Sequence, residues 1–202
     1  MGQADHKDKK QLRTQVIDFS KLKMDCKEFY PQNLVYEMML PKELLRKNEG
    51  LKKVHKLVDE SKDAGIITRQ ELVSMMPPIL CDIQSHHSVF DMCAAPGSKT
   101  SQALELIMNS HIRGDKKSNS AVPKGFVLAN DADHKRAYLL THQMNRFNTM
   151  NVVVSNHNAQ EFPSLHFQPQ QGKKESADTR FLFDRVMCDV PCSSDAAIRK
   201  IP

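Results

Sequence analysis

The stretch FDMCAAPGSKT, residues 90–100, decides how the chain is read. An apolar run, SVFDMCA (88–94), leads into small residues, a Pro-Gly pair and then Ser98-Lys99-Thr100. The run reads as a short buried strand. Pro96-Gly97 turns the backbone tightly. SQALELIMNSHI (101–112) then has the apolar spacing of a helix. In an open parallel sheet, a turn of this kind lies beyond the carboxyl end of a strand, where ligands bind.

The alternation continues downstream. FVLAND (126–131) reads as a second strand, and HKRAYLLTHQMNRF (134–147) as a helix with Ala137, Leu140, Met144 and Phe147 on one face. NVVVSNHN (151–158) and DRVMCDV (184–190) read as a third and a fourth strand. β-Branched strands alternating with helices predict an α/β fold: a parallel sheet with helices on both faces. GDKKSNSAVPKG (114–125) and QPQQGKKESADTR (168–180) read as polar surface segments.

Upstream, residues 1–30 form a polar lead-in, residues 31–87 a small helical segment, and residues 88–202 the sheet domain. LVYEMMLPKELLRKNEGLKKVHKLVDES (34–61) has helical periodicity interrupted at Pro41 and Gly50. In GIITRQELVSMMPPILCDI (65–83), Thr68 and Glu71 form a capping box and Pro77-Pro78 stops the helix. Leu72, Val73, Met75, Met76 and Ile79 are its expected core-facing residues.

Composition narrows the class. The chain has 202 residues, 40% hydrophobic and 26% charged, which fits a globular domain. No apolar run reaches the roughly 18 residues that cross a bilayer, so no membrane partner is expected. The polar start lacks a signal-peptide core. Five irregularly spaced cysteines argue against a disulfide framework. The net charge of +5 is compatible with a nucleic-acid partner. Lys7–Lys10 and Lys52-Lys53 read as solvated faces, and His86, His87 and His157 lack the spacing of metal ligands. No metal is expected.

The loop at 93–99 is not a nucleotide P-loop. Aligning Lys99-Thr100 with that motif puts Ser98 and Cys93 where its two glycines belong. The dinucleotide fingerprint also fails, since Gly97 is the one glycine present. What remains is a loop whose small residues, Ala94 and Ala95, admit a ligand close to the backbone. Lys99 and the helix N–H groups can receive a carboxylate, and Asp131 ends the next strand, where a ribose diol would lie. A carboxylate plus a ribose describes S-adenosylmethionine. Cys192, after the fourth strand and near Asp189, reads as a reactive thiol; Cys188 reads as a small buried apolar residue.

DMCAAPGSKTSQ (91–102) together with CDVPCSSD (188–195) resembles the Sun/Nop family of RNA (cytosine-5) methyltransferases. GIITRQELVSMMPP and LANDADHKRAYLLTHQ are most similar to its eukaryotic tRNA branch. The resemblance runs from about Phe29 to Lys200. It implies a Rossmann-like methyltransferase fold, S-adenosylmethionine as cofactor, RNA and more narrowly tRNA as partner, and 5-methylcytosine as product. It also implies a nuclear or nucleolar location, with the cytoplasm as the other compartment. Carried over by position, Cys93, Ala94, Ala95, Pro96, Gly97, Ser98 and Lys99 form the cofactor loop and Asp131 takes the ribose. Asn158 stands where the family has an adenine-side Asp, and its carbonyl can still accept a hydrogen bond. Asp189 lies near both cofactor and target base.

Cytosine C5 is a poor nucleophile, so methylation begins with a thiolate adding to C6 of an unstacked base. The resemblance gives Cys192 the release of product and places the attacking cysteine in a later Thr-Cys motif, not found within these 202 residues. Ser193-Ser194-Asp195-Ala196 also stands where the family has Ser-Gly-Asp-Gly. The expectation is therefore an incomplete domain, its C-terminal strands missing: a fragment or a truncated copy, pairing with a partner chain if the truncation is natural. The alternative function is a non-catalytic module that binds cofactor or a partner.

Overall fold

The computed structural model describes residues 23–38, 48–114, 122–166 and 179–193. The lead-in to residue 22, most of 114–125 and most of 168–180 lie outside the described residues. Chain contacts divide the protein into two compact units, Met1–Ile67 and Thr68–Pro202.

In the first unit, β1 (Asp25–Cys26) pairs antiparallel with β2 (Tyr36–Glu37). Helix α1 spans Glu49–Asp63. Its start is fixed by Asn48, whose side-chain oxygen accepts from the N–H groups of Gly50 and Leu51 at 3.0 and 3.2 Å. Gly50 therefore sits in the first turn of a helix instead of interrupting one. Glycine is cheapest there, because the first-turn N–H groups are satisfied by the cap.

The second unit opens differently from the sequence expectation. Residues 67–71 are irregular, a 3-10 turn covers Val73–Met75, and α2 runs only from Met76 to Leu80. Thr68 and Glu71 thus cap no helix. Pro77 and Pro78 open α2, where a missing N–H costs nothing, and do not stop it. The proposed apolar face is also corrected: Val73 is 80% exposed, and Leu72 and Met76 are exposed too.

The sheet has four parallel strands: β3 (Ser88–Asp91), β4 (Phe126–Asn130), β5 (Val152–Ser155) and β6 (Arg185–Met187). Their order is β5-β4-β3-β6, so the chain steps outward twice and then returns to the other side of β3. That reversal creates the crevice beyond the carboxyl ends of β3 and β6. The crossovers are α3 (Ser98–Gly114) and α4 (His134–Asn145). Both pack on one face, where Val89, Val127, Ala129 and Met187 meet Ala103, Leu104, Ile107, Leu140 and Met144. Fully burying one such Leu or Ile is worth about 1.5–3 kcal/mol.

On the opposite face, Val153, Leu128, Phe90 and Val186 align across the strands. Phe90 packs there against Phe162 and Phe183, with ring centroids 4.7 and 5.0 Å apart. The start of β6 is latched to β3: Asp184 accepts from Ser88 N–H at 2.7 Å and from its hydroxyl at 2.8 Å. Those bonds hold the Asp184 carboxyl below its usual range.

Candidate cofactor and base site

The loop between β3 and α3 is fixed by hydrogen bonds at almost every residue. Ala94 N–H donates to the Asn130 carbonyl at 2.7 Å, and Gly97 N–H to the Ala94 carbonyl at 2.7 Å. The Ala95–Pro96 peptide is cis. Gly97 has φ of +102°, and a Cβ there would meet Leu140 and Met144 at 2.8 Å. Only glycine suits both conditions. The Ser101 hydroxyl donates to the Gly97 and Ser98 carbonyls, both at 2.9 Å, closing the turn onto α3.

Two buried polar residues carry the loop, and the sequence reading missed both as site residues. Asp91, 1% exposed at the end of β3, accepts from the Thr100 hydroxyl at 2.7 Å. Burial pushes its carboxyl up to about 6, against the lowering pull of Thr100 and Lys99. Asn130 is fully buried and uses its whole amide. It donates to the carbonyls of Met92 and His157 at 3.0 and 2.8 Å. It accepts from the Ser155 hydroxyl at 2.9 Å and from His157 N–H at 3.0 Å. Thus one side chain ties together the ends of three strands. The signal for it was a polar residue closing an otherwise apolar strand.

A cavity of about 330 Å³ lies against this loop. Asp91, Cys93, Ala94, Ala95, Pro96, Ser98, Lys99 and Asp189 line it on the sheet side, and Arg69, Gln70, Glu71 and Ser74 form a second wall. Lys99 crosses the mouth to Asp189 at 2.8 Å. Both signs of charge therefore face one small cavity. Burial, then the Asp131 carboxylate, pushes the Cys93 thiol up.

The other sequence-named residues stand outside that lining. Asp131 is 3% exposed. Its Oδ2 accepts from Ala95 N–H at 3.2 Å and faces Arg136 at 3.5 Å, while Oδ1 accepts from Asp133 N–H at 3.1 Å. Arg136 in turn donates to the Ala95 carbonyl. Asp131 is therefore a brace for the loop, with limited acceptor capacity left for a ribose. Asn158 is exposed and caps the 3-10 turn Ala159–Glu161 through its carbonyl oxygen. Cys188 and Cys192 are both exposed, so Cys188 is not the buried apolar residue the sequence suggested. β6 ends at Met187, one residue earlier, and Cys188 begins the open segment beyond it.

Among the described residues, no helix is long and apolar enough to cross a membrane, and no three His, Cys, Asp or Glu side chains are grouped to hold a metal.

Comparison with known proteins agrees with this geometry. The chain is 43% identical over 172 residues to the multisite-specific tRNA:(cytosine-C(5))-methyltransferase of Saccharomyces cerevisiae, covering 85% of this chain and 23% of that protein. It is 41% identical over 177 residues to the tRNA (cytosine(34)-C(5))-methyltransferase of Drosophila melanogaster, covering 88% of this chain and 22% of that one. The chain thus spans about a quarter of the length of these relatives. The crystal structure of PH0851 shares the fold, with a TM-score of 0.55 at 22% identity over 94% of this chain and 35% of that one. The profile of the 16S rRNA methyltransferase RsmB/F family matches residues 78–202. That span holds all four parallel strands, the loop and the cavity's sheet side, and on it the chain belongs to the RsmB/F methyltransferase family.

Proposed function

We propose that the chain is the cofactor-binding part of an S-adenosylmethionine-dependent RNA methyltransferase that forms 5-methylcytosine, with tRNA as its substrate. The observation that carries this reading is the cavity at the β3–α3 loop, with Asp189 at its open side. A loop of small residues gives backbone access, and the two signs of charge suit a zwitterion. Lys99 and Arg69 can take a carboxylate; Asp91 and Glu71 can take an ammonium. When bound, the cofactor supplies an electrophilic methyl group. Cys93–Lys99 hold its amino-acid end, and Asp131 and Asn158 lie toward the ribose and adenine. The domain that does this extends over residues 88–202, and the preceding segment supplies Arg69–Ser74 as the second wall.

Asp189 lies where it can meet cofactor and base. Its carboxylate can accept from the exocyclic amine of a flipped cytosine, once the Lys99 ammonium turns away. Cys192, three residues on, is exposed, which suits the role in product release that the family resemblance gives it. The relatives named above are tRNA methyltransferases, which favours tRNA over ribosomal RNA as substrate; a nuclear or nucleolar site of action is carried by the family resemblance alone.

Calorimetric titration with S-adenosylhomocysteine tests the reading. Saturable one-to-one binding, with no heat from ATP or NAD, is the expected result. Binding of ATP in its place, or of nothing, overturns it.

A further inference from the structure

The cavity's second wall comes from a segment with little regular structure of its own. Residues 67–71 are irregular, and the 3-10 turn after them is one turn long. Such a segment keeps its place through tethers. One is internal: the Gln70 side chain donates to the Ser74 carbonyl at 3.0 Å. Another comes from the sheet side. Gln102, 4% exposed on α3, donates through Nε2 to the Met75 carbonyl at 2.7 Å. Gln102 lies one helical turn beyond Ser98 and Lys99, which line the cavity. The bond therefore joins the two segments that carry the walls of the cavity.

The other half of the same amide is unusual. Gln102 Oε1 is buried and has no hydrogen-bond partner; among the described residues it is the one side-chain atom in that state. A leucine of nearly the same volume would remove that uncompensated acceptor. The glutamine is thus a poor device for packing alone and a good one for presenting a donor.

We propose that Gln102 is a positioning residue: its amide holds the Met75 carbonyl to α3 and so keeps Arg69–Ser74 as the wall that recognises the zwitterionic, amino-acid end of the cofactor. The proposal rests on the cofactor reading above and adds the group that sets its affinity. Gln102 touches no ligand itself. It acts through Arg69, Gln70, Glu71 and Ser74.

The test uses the full chain with Gln102→Leu and Gln102→Met. S-adenosylhomocysteine carries the amino-acid end, and 5′-methylthioadenosine lacks it. Both variants should bind the first about tenfold more weakly, the worth of one neutral hydrogen bond. Both should bind the second as the parent does and melt at the parent's temperature without ligand. Equal losses for both ligands, or no loss for either, overturn the proposal; so does failure of both variants to melt cooperatively, which would make Gln102 a core residue. If the parent binds neither ligand, the cofactor reading fails instead. Amide exchange without ligand then decides the tether: faster exchange over residues 72–76 in Gln102→Leu supports it, and unchanged exchange overturns it.

Discussion

Two segments on the sheet side of the cavity, 91–102 and 188–193, are built to different standards. From Asp91 to Gln102, the chain is locked by Asn130, Asp131, Arg136, Thr100 and Ser101, and its one carboxyl, Asp91, is buried. From Cys188 to Ser193, the chain lies exposed, and its link to the cavity is the Lys99–Asp189 ion pair. A ligand that always has the same shape is served by a preorganised cradle. A base delivered by a large polymer needs an open edge and residues able to turn. Under the proposed function, cofactor affinity would be written into the fold, while base chemistry would depend on side chains that the fold holds loosely.

Substitution tests that contrast. Asn130→Ala is expected to do the most damage, about 3–4 kcal/mol, because it leaves two carbonyls and two donors without their partner. Thermal or urea unfolding measures it, and a loss below about 1 kcal/mol would show that the strand ends hold without this amide.

Asp91 comes next. Its carboxyl is raised from 3.8 to about 6 by burial, so the folded state holds a proton more tightly than the unfolded chain. Stability is therefore greatest below the unfolded value and falls as pH rises through about 6, by roughly 2–3 kcal/mol. Asp91→Asn should flatten that part of the pH–stability curve and raise stability at pH 8, while weakening S-adenosylhomocysteine binding. Melting curves from pH 3.5 to pH 8 measure the slope.

Gly97→Ala puts a Cβ at φ of +102° and should lower stability by about 1–3 kcal/mol, with a larger proportional loss of cofactor affinity. On the open side, Asp189→Ala removes a partly exposed ion pair worth at most about 1 kcal/mol. Cys192→Ser should stay within about 0.5 kcal/mol in the melt and leave cofactor binding unchanged. If either substitution on the open side destabilised the chain as much as Asn130→Ala, the two segments would not differ as described.

The periodicity of 88–94, 126–131, 151–158 and 184–190, with the helices between, was enough to predict four parallel strands; their order, β5-β4-β3-β6, came from the structure. Those strands are short apolar runs bounded by turn residues, and a sheet buries such runs whatever their detailed neighbours. The loop at 93–99 was legible for the same local reason: small residues followed by Pro-Gly can form only a few turns. The segment at 65–83 was not. Its apolar spacing and Thr68–Glu71 pair describe a helix, yet Pro77 and Pro78 favour the first turn of one, and the chain there is held by the Gln102 side chain from α3.

What the sequence determined by itself, then, is what depends on residues a few positions apart: strand, turn, helix and their alternation. Tertiary structure alone decided which polar groups are buried and what they hold. Asn130 reaches His157, 27 residues away, Gln102 reaches Met75, also 27 away, and Asp91 shares the cavity with Asp189. Hydrophobic periodicity tells a side chain which way to face but carries no record of the partner it will meet. The same carboxyl or amide is a solvated surface group, a loop brace or a cofactor contact according to what folds against it.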